Sequence, residues 1–150
     1  MNINTPVLAI DYGDKRFGIA ISDKNGLIAS PLTVLSVTRR GGTREVISNI
    51  NKIVDKNNVK RIIIGMPQIF QDSYKKSAEK VEQFKEDLSK VITVPIIFQD
   101  ESYSTTQAQN MLTSLGQSTK KSKSKIDMVS AAVFLQEFLN SEKEKNEKHF

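Results

Sequence analysis

At 150 residues, 38% hydrophobic and 26% charged, the chain has the size and composition of one ordinary globular domain, and no apolar run approaches the length that spans a bilayer. It has no cysteine, and its single histidine, His149, lies in a charged tail; this excludes disulfides, thiolate nucleophiles and cysteine-based zinc sites, and leaves catalysis to carboxylates, lysines and hydroxyls. A formal charge of +5 and an isoelectric point near 9.4 favour a polyanionic partner, and a start without a basic region and apolar core predicts a cytoplasmic protein.

Val7 to Ile10 are apolar on both faces and lead to Asp11, the pattern of a central buried strand that delivers an acid at its exit. Gly13 permits a positive backbone angle or a close approach by a ligand. Lys15 and Arg16 put two cations on the turn before the chain returns from Phe17 to Ser22. Lys24-Asn25-Gly26 predicts a hairpin tip, and Leu27 to Leu35 is again extended, so the first three strands form an antiparallel meander. Pro31 marks the third as an edge strand. After the loop Thr38-Arg39-Arg40-Gly41-Gly42, the residues Val46, Ile47, Ile50, Ile53 and Val54 recur at helical spacing, with Thr43 as the cap.

Val59 to Ile64 is a second buried strand, ending in Gly65-Met66-Pro67; reached through a helix, it runs parallel to the first. Beyond a loop from Pro67 to Ser73, Ala78, Val81, Phe84 and Leu88 mark the inner face of a long charged helix. Val94 to Phe98 is the fifth strand, and Gln99-Asp100-Glu101 follow at its exit. Ser104 and Gln107 form a capping box for a helix that ends at Gly116. Gln117 to Lys125, with Lys120, Lys121, Lys123 and Lys125 and no acid, reads as a flexible basic loop. Ile126 to Asn140 is the last helix, with Val129, Ala132, Val133, Leu135, Phe138 and Leu139 on its apolar face and Asp127 in its first turn. Residues 1–140 thus form a single domain, and Ser141 to Phe150 a charged tail that frays.

This order predicts an α/β protein: a mixed five-stranded sheet, three antiparallel strands and then two parallel ones, with helices on both faces. Sites in such sheets form outside the carboxyl ends of parallel strands. With the first and fifth strands near each other and the first turn of the last helix facing them, Asp11, Glu101 and Asp127 converge. Three carboxylates repel unless cations neutralise them, and hard oxygen ligands select Mg²⁺ or Mn²⁺. Two such ions about 4 Å apart suit phosphodiester hydrolysis, which needs neither histidine nor cysteine. Each residue also has a plainer reading. Asp11 is a turn former, Glu101 solvates a strand exit and Asp127 favours the positive end of a helix dipole. The lysines are a solvated linker or nucleic-acid backbone contacts, and Tyr12, Tyr74 and Tyr103 stack on bases or close the rim of a core.

Four motifs in order, Ile10-Asp11-Tyr12-Gly13 with Lys15-Arg16 and Gly18-Ile19-Ala20, Ile64-Gly65-Met66-Pro67, Asp100-Glu101 with Ser104-Thr105 and Ala108, and Lys125-Ile126-Asp127 with Ala131-Ala132, resemble the YqgF family from about Val7 to Leu139. That family is similar to the Holliday-junction resolvase RuvC and has the RNase H-like fold. The resemblance implies a cytoplasmic bacterial nuclease that processes the 5′ end of precursor 16S ribosomal RNA using Mg²⁺ or Mn²⁺. Asp11, Glu101 and Asp127 would be both catalytic and metal-binding. Lys15, Arg16 and Lys125 would contact the nucleic-acid backbone, with Arg39, Arg40, Lys120, Lys121 and Lys123 as further binding residues. No membrane is expected, and the chain is expected as a monomer or weak homodimer. The chain departs from the family's pattern at Ser102, where arginine is usual, at Gln71-Asp72, where Asp-Gly is usual, and at Asp14, where threonine or serine is common. A serine cannot supply the bidentate phosphate contact of an arginine. Two other functions therefore stand beside the first: resolution of branched DNA, and RNA binding by a catalytically weakened factor. Sugar kinases and actin-like ATPases open with a similar strand and turn but need two such domains, and this chain has room for one.

Overall fold

β1 (Val7–Asp11) is the middle strand of five and is buried along its whole length, as apolar residues on both faces require. The computed structural model describes residues 4–13, 15–66, 74–100 and 119–147, and describes the backbone alone at 66, 74–78, 99–100, 119–127 and 144–147. β2 (Arg16–Ser22) pairs antiparallel with β1, and β3 (Ala29–Ser36) antiparallel with β2. β4 (Arg61–Met66) and β5 (Ile96–Asp100) complete a sheet of order β3-β2-β1-β4-β5, with β4 parallel to β1 and β5 parallel to β4. The predicted meander and mixed sheet are therefore present. The fifth strand does not neighbour the first, however: β4 lies between them.

The β2–β3 hairpin turns at Gly26, at φ 70°, while Asp23 Oδ1 accepts the backbone N–H of Leu27 at 2.7 Å and of Ile28 at 3.1 Å. β3 is an edge strand, as Pro31 requires, and its register with β2 slips between Ile19 and Ala20.

Alternation along the strands separates two apolar faces. Leu8, Ile10, Phe17, Ile19, Ile62 and Ile64 meet α1 (Gly42–Asn57) through Val46, Ile47, Ile50 and Val54, and α2 (Tyr74–Val91) through Val81, Phe84 and Leu88. Val7, Ala9, Ala20 and Ile63 meet α3 (Thr119–Glu147) through Ala131, Ala132, Phe134, Leu135 and Leu139. Phe134 belongs to this stripe although the sequence pattern did not single it out.

Three local features differ from expectation. α1 is not capped by Thr43: Gly41 is the N-cap, and Thr38 Oγ1 accepts the Gly41 N–H at 2.9 Å and donates to Glu45 Oε2 at 3.0 Å. α3 begins at Thr119, so Lys120, Lys121, Lys123 and Lys125 stand on a helix and not in a flexible loop; lysine is a good helix former, and a helix extends readily from a packed segment. α3 also continues to Glu147, through most of the segment expected to fray, because Glu142 is tied to the sheet by Arg61. The expected helix from Ser104 to Gly116 lies outside the described residues.

Candidate functional site

Asp11 ends β1 and is 5% exposed. Alternation puts it on the side of Val7 and Ala9, the face that α3 covers. Its partners across the sheet are Gly18 on β2 and Gly65 on β4. Neither neighbour therefore sends a side chain into the space beside the carboxylate. The sequence carried this signal in two glycines of its motifs, but only the register assigns them a common purpose.

The turn after Asp11 is shaped by sterics. A Cβ on Gly13 would lie 2.4 Å from the Arg16 carbonyl oxygen, so glycine is needed for the close approach of the chain to itself, and not for a positive angle. Lys15 is exposed and Arg16 half-buried. The Lys15 carbonyl accepts the Val37 N–H at 2.9 Å, which joins this turn to the segment carrying the exposed Arg39 and Arg40. Four cations thus follow one rim at the carboxyl edge of the sheet. Tyr12 leaves the rim for the opposite face: its ring stands 5.1 Å from Phe17 and 5.5 Å from Phe84, and it closes the rim of the core there.

α3 runs antiparallel to β1, and its register is fixed at the far end. Arg61, paired in the sheet with Val7, donates from Nη1 and Nη2 to Glu142 Oε1 and Oε2 at 2.6 and 2.7 Å, donates from Nε to the Asn4 carbonyl at 3.0 Å, and lies 5.2 Å from the Phe138 ring centroid. Gln136 donates to the Leu27 carbonyl and accepts the Ala29 N–H, both at 2.9 Å, at the start of β3. Both clamps hold the end of α3 nearest Val7. From Glu142 back to Asp127 the helix rises roughly 22 Å, whereas β1 climbs only roughly 13 Å from Val7 to Asp11. The backbone of α3 is therefore long enough to reach the level of the strand exit and beyond it, with Ala131 in the core of this face and Asp127 one turn further on. Asp127 lies in the third turn of α3, not its first, so the helix-dipole reading of this acid lapses.

β5 brings the chain to the same edge. Gln99 is in register with Gly65, which is in register with Asp11, and the strand ends at Asp100. Two strand spacings, roughly 10 Å, separate β1 from β5. Glu101 lies outside the described residues, as do Asp14, Gln71, Asp72, Ser102 and Tyr103, and the side chain of Asp127 is not described either. Among the described residues no three acids or histidines cluster. What they do provide is one buried hard-oxygen donor flanked by glycines, a setting that suits Mg²⁺ or Mn²⁺ and offers nothing to a thiophilic ion.

Comparison with known proteins agrees with this architecture. A family model described as RuvX, Holliday junction resolvase, matches residues 5–141. Proteins named "Putative pre-16S rRNA nuclease" are similar over nearly the whole chain: one from Halothermothrix orenii is 38% identical over 89% of this chain and 94% of its own length, and one from Caldanaerobacter subterraneus subsp. tengcongensis is 37% identical over 91% and 97%. A third, from Rickettsia akari, is 36% identical over 94% and 90%. The solved structure of Thermus thermophilus RuvC in complex with Holliday junction substrate superposes with a TM-score of 0.51 at 15% identity, covering 93% of this chain and 96% of that one, a likeness of fold.

Proposed function

Because the chain belongs to the RuvX family, a family of nucleases with the RNase H-like fold, we propose that it is a divalent-metal-dependent endonuclease that trims the 5′ end of precursor 16S ribosomal RNA. The observation that carries this reading is the register of α3 against β1. The Arg61–Glu142 and Gln136 clamps hold the later part of the helix at the amino edge of the sheet, so its Asp127 end extends toward the edge where β1 ends at Asp11, flanked by Gly18 and Gly65. Asp11, Glu101 and Asp127 would hold Mg²⁺ or Mn²⁺ there. The chemistry such ions supply when bound is activation of water and neutralisation of the charge that develops on a phosphodiester. The chain's own part is to keep a carboxylate dry and fixed at a strand end, and to present Lys15, Arg16, Arg39 and Arg40 to the phosphates on either side of the scissile bond. Lys120, Lys121, Lys123 and Lys125, on the first turns of α3, add a second basic element toward the same substrate.

Resolution of branched DNA is the second reading, favoured by the description of the matching family model. The rRNA reading ranks above it because relatives 36–38% identical over nine-tenths of the chain are named for pre-16S rRNA, whereas the likeness to RuvC concerns the fold. Cleavage of a 5′-extended 16S precursor RNA and of a four-way DNA junction, each with and without Mn²⁺, separates the two. The RNA is expected to be cut only with the ion, and Asp11→Asn to slow the reaction at least about a hundredfold, the rate equivalent of losing several kcal/mol of charge stabilisation. Undiminished cleavage by a folded Asp11→Asn variant would remove the mechanism.

A further inference from the structure

On the face of the sheet opposite the one that carries Asp11, a groove of about 1050 Å³ opens between the start of α1 and the last turns of α2. Arg39, Arg40 and Arg44 line it from the α1 side and Lys90 from the α2 side; the acids in its wall are Glu45 and Asp87. Both acids are already engaged, Glu45 by the Thr38 hydroxyl at 3.0 Å and Asp87 by Gln83 Nε2 at 3.0 Å and Lys90 at 3.9 Å. No ion pair involves any of the three arginines among the described residues. At the lip, Gly41 and Gly42 keep the backbone bare. Gly42 sits at φ +52° with open space where a Cβ would be, and a Cβ on Gly41 would collide with Glu45 and Thr38. Exposed guanidinium groups from the segment before α1 and from its first turn, with an ammonium from α2 lining the same groove, are complementary to a polyanionic chain.

We propose that this groove binds the phosphate backbone of an RNA segment flanking the cleavage site, so that the substrate crosses the carboxyl edge of the sheet and touches both faces. The proposal rests on the nucleic-acid reading above and extends it. The path is continuous, because the Val37 to Lys15 hydrogen bond joins the rim bearing Lys15 and Arg16 to the segment that enters the groove. A substrate held this way must extend well beyond the reacting phosphodiester on one side, and Arg44 and Lys90 become binding residues that the rim alone would not include.

The test is RNA binding by the full chain carrying Asp11→Asn, so that cleavage does not interfere, measured by fluorescence anisotropy with a 5′-extended 16S precursor RNA over a range of salt. Arg39→Gln/Arg40→Gln/Arg44→Gln is compared with Lys24→Gln/Lys56→Gln/Lys60→Gln, which removes the same charge at the opposite end of the sheet. Loss of backbone contacts in the groove predicts that the slope of log K against log salt falls by about 2 to 3 in the arginine variant, and by less than half of that in the lysine control. Lys90→Gln, a change at a well-exposed side chain, should by itself lower the slope by about 0.7 to 0.9. A parental slope in Lys90→Gln, at a position the rim does not include, would overturn the proposal whatever the arginine variant does. So would an equal fall in the lysine control, which would mean that only net charge matters. Binding is read here without turnover, so a failed nuclease reading shows in the cleavage assay and a failed groove shows only in these slopes.

Discussion

The setting of Asp11 depends on what its neighbours lack. With glycine on both flanking strands, no Cβ from a neighbouring strand stands beside the carboxylate, and Gly65→Ala tests whether that matters. A methyl group there should raise the divalent-ion concentration needed for half-maximal cleavage several-fold, read from Mn²⁺ titrations at saturating RNA. Gly13 is a different kind of glycine. With a Cβ only 2.4 Å from the Arg16 carbonyl oxygen, Gly13→Ala forces the turn to move and should destabilise the fold by about 1–3 kcal/mol in urea denaturation. Asp23 is held below its ordinary 3.8 mainly by the Ile28 N–H, with the Leu27 N–H adding to it and burial opposing. A carboxyl with a lowered folded pKa stabilises fully above its unfolded value and loses that contribution as pH falls through the folded one. Asp23→Asn should therefore narrow the stability difference between pH 6 and pH 3, an effect kept small by the exposure of the side chain. Asp11 and its glycines were legible in the sequence as a motif. That Gly18 and Gly65 flank the acid was not, since register is a property of paired strands.

Among the elements, α3 differs most from expectation. Its apolar stripe marks only the part that packs on the sheet, so periodicity could not reveal the turns that project beyond the core at either end. Residues 119–125 offer nothing apolar to bury, and Ser141 to Glu147 are held through an arginine some eighty positions earlier in the chain, which no local pattern can disclose. Arg61→Met leaves Glu142 without its bidentate donor in a half-buried position, and should cost about 2 kcal/mol. The last two turns of α3 should then exchange their amide protons first in a hydrogen-exchange experiment. If instead those turns keep their protection, the clamp does not hold the helix in register. α1 shows the reverse situation. Its stripe Val46, Ile47, Ile50 and Val54 was readable, and Ile50→Ala should cost about 2–5 kcal/mol because Ile50 is wholly buried against the sheet. The cap is not legible from the helical pattern because Thr38 reaches it from outside the helix, through a turn that contains Gly41 and Gly42.

At the scale of the whole molecule, the sheet separates two helical layers, and its carboxyl edge is where β1, β4, β5 and the rim cations all arrive. The sequence by itself determined the five strands and their sense, the burial of β1, the acid at its exit and the family. These follow from short apolar runs, turn residues and motif order, all of which are local. Only the tertiary structure decided that β4 separates β1 from β5, that α3 begins early enough to put Asp127 in its third turn, and that the arginines before α1 line one groove with Lys90 of α2. Each of these depends on which distant surfaces pack together, and the free energy of that packing is shared among residues far apart in the chain.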